Sequence, residues 1–364
     1  MELRPLGRTG VHVSKFCLGA GMFGKFGNTD HDECIRMVHT ALDAGINMID
    51  TSDVYSFGEA EEIVGKALKG RRDRVVLATK FGLPMGSDPN RAGGSRRWIV
   101  HEVENSLRRL QTDYIDLYQM HRPDERADLD DTLGALSDLV HQGKIRLFGS
   151  STFPVEKIVE AHWTSERRGY ERFRTEQVPY SILARRVENG VLPTCLRYGM
   201  GVLVWSPLAQ GWLSGKYRKG KTANDVHRGN LQPQLFDMSN PENQRKIEVI
   251  EALASIADQA GLELIHIAMA FVCQHPAISS AILGPRTPDH LNGLLPAADI
   301  HLEDGLLDLI DQVVRPGFNI SVEDDGYTPP ELLDATLRRR PAITSGETDR
   351  GATERLREMF DDNT

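Results

Sequence analysis

The sequence predicts an α/β fold, a closed (β/α)8 TIM barrel with an N-terminal β-hairpin and a C-terminal extension. Three observations predict it: eight short apolar runs recur along the chain, amphipathic helical segments separate them, and the length and composition suit one large core. Alternating strand and helix imply parallel strands joined by crossover helices, and eight repeats close into a barrel rather than an open, doubly wound sheet. With 364 residues, 40% of them hydrophobic and 26% charged, the chain can bury such a core without dividing.

The first residues alternate on either side of the turn Gly7-Arg8-Thr9-Gly10 and read as a small hairpin. The candidate barrel strands are residues 16–18, 47–49, 75–79, 115–120, 145–149, 176–178, 202–205 and 281–283. Segments 32–44, 59–69, 97–110, 130–142 and 243–260 repeat apolar residues at intervals of three and four, the spacing of one helix face. Residues 82–96 and 213–240 are rich in Gly, Pro, Asn and Ser and read as long rim loops, candidates to cover a substrate or cofactor. The expected organisation is a barrel over 1–315, a C-terminal extension packing on it over 316–340, and a flexible, polar tail over 341–364.

Composition excludes several classes of partner. A net charge of −9 with no basic block argues against nucleic acid, which needs a concentrated positive face. Cys17, Cys34, Cys195 and Cys273 lie far apart, without a C-x-x-C pair or a zinc-site spacing, so no metal site is expected and a reduced, cytoplasmic chain fits best. The start, MELRPLGRTGVHVSKF, lacks the apolar stretch of a signal peptide, and no run reaches the roughly 18 apolar residues a bilayer span needs. The expected partner is a small molecule; the oligomeric state stays open.

Position supplies the strongest chemical clue. Asp50, Lys80 and His121 each stand at or just after the end of a different candidate strand, and Tyr55 follows Asp50 by five residues. In such barrels the C-terminal ends of the strands carry the chemistry. A phenol, whose unperturbed pKa is about 10, holds its proton at neutral pH, and an adjacent ammonium stabilises the anion it leaves behind. Lys80 suits that task for Tyr55, Asp50 suits compensation and positioning of the lysine, and His121 suits a hydrogen bond to a carbonyl oxygen. Taken singly, each has an ordinary reading as a loop aromatic, a surface ion or a structural histidine. Three ionisable groups at one rim are costly unless they serve a purpose.

The runs DAGINMIDTSDVYSFGEAEEIVGKAL, LATKFG, DLYQMHRPD, GKIRLFGSSTF and VWSPLAQGWLSGKY resemble, in order and spacing, the aldo-keto reductase superfamily over nearly all of residues 1–315. By that resemblance Asp50, Tyr55, Lys80 and His121 match the catalytic tetrad, with the tyrosine as general acid. The resemblance implies NADPH/NADP+ as cofactor and a small-molecule carbonyl substrate. Ser151, Thr152 and Gln177 would hold the nicotinamide carboxamide, with Thr152 in place of the usual asparagine. Trp205 would stack on the nicotinamide. Ser206, Pro207, Leu208 and Gln210, with Lys216 nearby, match the pyrophosphate segment. Gly284 and Arg286 match the segment that meets the 2′-phosphate. His290, Gly293 and Leu294 stand where relatives often carry Gln and then Glu-Asn, and Gly19-Ala20-Gly21 replaces a commoner Gly-Thr-aromatic, so cofactor affinity below the family's norm is expected. Met22, Phe57 and residues 82–96 are candidates for the substrate pocket. Two other readings compete with the reductase: a cofactor-sensing subunit, suggested by the likeness of Trp-Ser-Pro-Leu-Ala to potassium-channel β subunits, and a barrel isomerase or lyase without nicotinamide.

Overall fold

A computed structural model describes residues 1–220 and 227–339; the expected tail, 341–364, lies outside the described residues. Eight parallel strands close a barrel in the order β10-β3-β4-β5-β6-β7-β8-β9, preceded by the antiparallel hairpin β1 (Leu3–Pro5) and β2 (His12–Ser14). The barrel strands are β3 (Phe16–Gly19), β4 (Met48–Asp50), β5 (Val76–Phe81), β6 (Ile115–Met120), β7 (Ile145–Ser151), β8 (Thr175–Pro179), β9 (Gly201–Trp205) and β10 (Ile278–Leu283). Around them run α1 (His31–Asp43), α2 (Glu59–Ala67), α3 (Arg96–Leu110), α4 (Leu129–His141), α5 (Val155–Arg168), α6 (Val191–Tyr198), α7 (His227–Leu231), α8 (Pro241–Ala260), α9 (Leu264–Gln274), α10 (Pro288–Leu294) and α11 (Asp304–Val313). The fold is the expected TIM barrel.

Local signals set the helix ends. Asp30 caps α1 by accepting from the Glu33 N–H, and Cys34, Met37, Val38 and Ala41 form its buried stripe. Asn240 caps α8, Pro241 follows at its first turn, and Gly261 ends it in left-handed backbone.

Strand alternation explains how an apolar barrel comes to carry a polar mouth. Side chains two apart along a strand share a face. Cys17, Met48, Ala78, Leu117, Leu203 and Ile282 form an apolar layer with Leu6 and Val13 of the hairpin region. Two residues further along their strands stand Asp50, Lys80, Gln119 and Trp205, so the next layer toward the C-terminal end is polar. The hairpin closes the other end. A Cβ at Gly7 would sit 2.3 Å from the Gly201 nitrogen, and its φ of +58° also favours glycine.

The chain divides into two compact units, Met1–Gly326 and Tyr327–Thr364. In the first, the segment after α11 returns to the barrel: the Ile320 N–H donates to the Leu183 carbonyl at 2.9 Å and the Arg185 N–H to the Phe318 carbonyl at 3.2 Å. In the second, the described residues form the short helices α12 (Pro330–Leu333) and α13 (Ala335–Arg338), the latter capped by Asp334. Among the described residues no single helix is long and apolar enough to cross a membrane.

Candidate active site

Lys80 is fully buried at the centre of the polar layer. Its ammonium lies 2.5 Å from Asp50 Oδ2, 2.9 Å from the Thr51 carbonyl and 3.3 Å from Tyr55 Oη. Burial pushes this ammonium down, but the Asp50 carboxylate and the Tyr55 oxygen outweigh it, and the net displacement is upward. Lys80 therefore stays charged. The other oxygen of Asp50 accepts from Gln177 Nε2 at 2.8 Å and Gln119 Nε2 at 3.1 Å, which satisfies a buried carboxylate on both sides.

Tyr55 is placed by an unusual turn. Ser56, Phe57 and Gly58 all adopt positive φ, at 48°, 57° and 96°, so the chain reverses directly after the tyrosine. Ser56 fixes that turn, its hydroxyl donating to the Phe23 carbonyl at 2.7 Å while accepting from the Phe26 N–H at 3.0 Å. Strain of this kind, in a bulky residue such as Phe57, persists only where surrounding contacts enforce it.

The His121 ring meets the Tyr55 ring edge-on, with centroids 5.9 Å apart. Burial, then Lys80 and Arg122, hold His121 well below the ordinary histidine range, so it is neutral. Its Nδ1 lies 3.2 Å from the Ser52 hydroxyl, which also reaches Asp53 Oδ1 at 3.0 Å. Asp50, Lys80 and His121, at or just after three strand ends, thus lie together with Tyr55.

Tyr55 and Asp50 open onto a cavity of 520 Å³ whose walls include Gly21, Gln177, Trp205, Ser206, Pro207, Leu208, Gln210, Lys216, Gly284, Arg286 and His290. Ala20, Ser151 and Thr152 do not line it. Ala20 is buried, its N–H donating to the Asp50 carbonyl at 2.8 Å; Ser151 donates to the Gln177 carbonyl at 3.0 Å; Thr152 accepts from Trp205 Nε1 at 3.3 Å. These three steady the wall. Residues 206–211 turn sharply, with positive φ at Ser206, Ala209, Gln210 and Gly211. Across the groove His227 Nε2 lies 3.0 Å from the Phe26 carbonyl, so part of the predicted cover does span the opening. Met22 lines the cavity, whereas Phe57 is 60% exposed and packs edge-on against Phe26.

Gln119, Ser52 and Arg122 were not legible as site residues from the sequence, although Gln119 shares the inward face of its strand with His121, two positions on. The spelling Gly19-Ala20-Gly21-Met22-Phe23-Gly24 matches G-x-G-x-x-G. Its context is wrong for that fingerprint, because one 3₁₀ turn, Gly24–Phe26, follows and α1 begins only at His31.

The model of the aldo/keto reductase family matches residues 15–315. The chain belongs to that family. Among its relatives, the uncharacterized oxidoreductase YrpG of Bacillus subtilis (strain 168) is 36% identical over 86% of this chain and 96% of its own length. The aldo-keto reductase YhdN of the same organism is 36% identical over 81% of this chain and 88% of its own. A probable voltage-gated potassium channel subunit beta of Arabidopsis thaliana is 32% identical over 86% and 97% respectively. The protein is an oxidoreductase of the aldo/keto reductase family.

Proposed function

We propose that this oxidoreductase uses NADPH to reduce an aldehyde or ketone to an alcohol, with Tyr55 as general acid. The observation that carries the reading is the buried chain Asp50–Lys80–Tyr55, ending at the wall of the 520 Å³ cavity. The cavity suits an extended dinucleotide: it offers one broad aromatic wall, a left-handed turn at 206–211 and two cations, Lys216 and Arg286. Trp205 would carry the nicotinamide ring, Gln177 with Ser151 and Thr152 behind it would hold the carboxamide, residues 206–210 and Lys216 the pyrophosphate, and Gly284 and Arg286 the 2′-phosphate. His290 would meet the adenine end, and Ala20 and Gly21 would bound the nicotinamide end. Bound there, the reduced nicotinamide supplies the hydride.

The chain's own groups manage the proton. Tyr55 Oη donates it to the carbonyl oxygen. The Lys80 ammonium, 3.3 Å away and compensated by Asp50, stabilises the negative charge left on the phenol oxygen. The neutral His121, its ring edge-on to Tyr55, can orient the substrate oxygen by a hydrogen bond. Four free, buried cysteines suit a reducing, cytoplasmic setting. Loss of NADPH absorbance with a panel of aldehydes and ketones tests the reading, and silence across the panel refutes it.

A second reading, a cofactor-holding regulatory subunit, draws on the likeness to the Arabidopsis channel subunit. It predicts very slow release of NADP+ and negligible turnover, which stopped-flow tryptophan fluorescence separates from a working reductase.

A further inference from the structure

Arg122 follows His121 at the mouth of the barrel and is only partly exposed, yet no carboxylate pairs with it among the described residues. Its Nε donates to the Gly326 carbonyl at 3.1 Å and its Nη1 to the His121 carbonyl at 2.6 Å, two neutral acceptors. The acids beside Gly326 are committed elsewhere: Asp324 lies 2.9 Å from Lys246 and Asp325 2.7 Å from Arg186. Glu176 faces the same region, but burial lifts its carboxyl to about 8, so near neutral pH it is largely uncharged. A guanidinium in this setting carries a charge that no paired carboxylate among the described residues balances.

Place then separates Arg122 from the cations expected to meet the cofactor phosphates. In the ring of strands β6, which Arg122 follows, stands diametrically opposite β10, which Arg286 follows. The guanidinium sits 5.5 Å from the centre of the Trp205 ring, and Gly326 holds the same ring's edge, where a Cβ would come within 2.5 Å of Cζ2. Glycine is required there, and the contact anchors the segment that fixes Nε. The cations expected to meet cofactor phosphates thus lie on one side of the mouth and Arg122 on the other, beside the carbonyl-orienting histidine.

We propose that Arg122 recognises an anionic group on the substrate, so that the preferred carbonyl compounds carry a carboxylate or a phosphate. Nη2, which makes no hydrogen bond to the described residues, is the donor for that group. The proposal rests on the reductase reading of the same site and narrows its substrate class.

The test compares kcat/KM for matched carbonyl pairs with NADPH: 4-carboxybenzaldehyde against its methyl ester, and glyceraldehyde 3-phosphate against glyceraldehyde. The wild-type protein is expected to favour the charged member of at least one pair by tenfold or more, and the pair that responds tells carboxylate from phosphate. Arg122→Met should abolish that preference, lowering kcat/KM for the charged member at least tenfold more than for its neutral partner, and Arg122→Lys should keep part of it. A merely structural strap predicts equal losses on charged and neutral members, which would overturn the proposal. So would a wild type indifferent to charge in both pairs, with the reductase reading left standing. No NADPH oxidation with any of the four would overturn both.

Discussion

Replacing Lys80 with methionine tests whether the buried pair beneath Tyr55 does what its geometry implies. Methionine nearly matches the length of the lysine stem, so packing changes little. What is lost is charge: Asp50 Oδ2 and the Thr51 carbonyl, held at 2.5 Å and 2.9 Å, both lose their donor in a region where the two side chains are 0% and 3% exposed. Breaking a buried ion pair from one side costs about 3–5 kcal/mol, because the surviving charge stays desolvated. Gln177 and Gln119 still satisfy Oδ1, which places Lys80→Met toward the lower end of that range. Adding Asp50→Asn removes the stranded charge, and the double variant should recover at least about 2 kcal/mol of the loss. Its activity should not recover. Without an ammonium beside Tyr55 Oη, kcat/KM should fall by about 10²- to 10⁴-fold in both variants. Urea unfolding followed by circular dichroism, with linear extrapolation, measures the stabilities, and NADPH consumption the rates. A Lys80→Met protein that loses less than about 1 kcal/mol, or a double variant no more stable than the single one, refutes the buried-pair argument.

Thr152 occupies left-handed backbone at φ 58°, poorly suited to a β-branched residue. Thr152→Asn should therefore stabilise the fold by roughly 1 kcal/mol, with the amide oxygen still accepting from Trp205 Nε1, and should tighten NADP+ binding measured by tryptophan fluorescence. Glu176 carries a pH signature: its folded value of about 8 lies above that of an unfolded glutamate, about 4.3. The folded chain binds the extra proton between those values, so this contribution is complete below about pH 4.3 and is lost as pH rises through 8. Glu176→Gln should flatten the decline in stability between pH 5 and 8 in denaturant titrations, and an unchanged slope would contradict the assignment.

Much of this was legible in the sequence because the barrel repeats a local signal. All eight barrel strands lie within a few residues of the apolar runs that announce them, and residues 32–44 and 97–110 differ by one residue at most from the ends of α1 and α3. Asp50, Lys80 and His121 were readable because a residue that closes an apolar run must stand at the barrel mouth. What escaped depends on contacts distant in sequence or on backbone that composition does not announce. Nothing local marks Ser56 and Phe57 as left-handed, since the turn is enforced by Phe23 and Phe26 some thirty residues earlier. The return of residues 318–326 to the barrel rests on Leu183, Arg185 and Trp205, so the compact unit runs to Gly326, beyond the end of the family match. Arg122 reads as one basic residue in DLYQMHRPD until its surroundings show no paired carboxylate among the described residues.

The most direct measurement is single-turnover NADPH oxidation by Tyr55→Phe at saturating aldehyde, beside its equilibrium binding of NADP+. With Tyr55 as proton donor, the variant binds the dinucleotide within a factor of about three of wild type and turns over about 10²- to 10⁴-fold more slowly. A variant that oxidises NADPH at the wild-type rate contradicts the account.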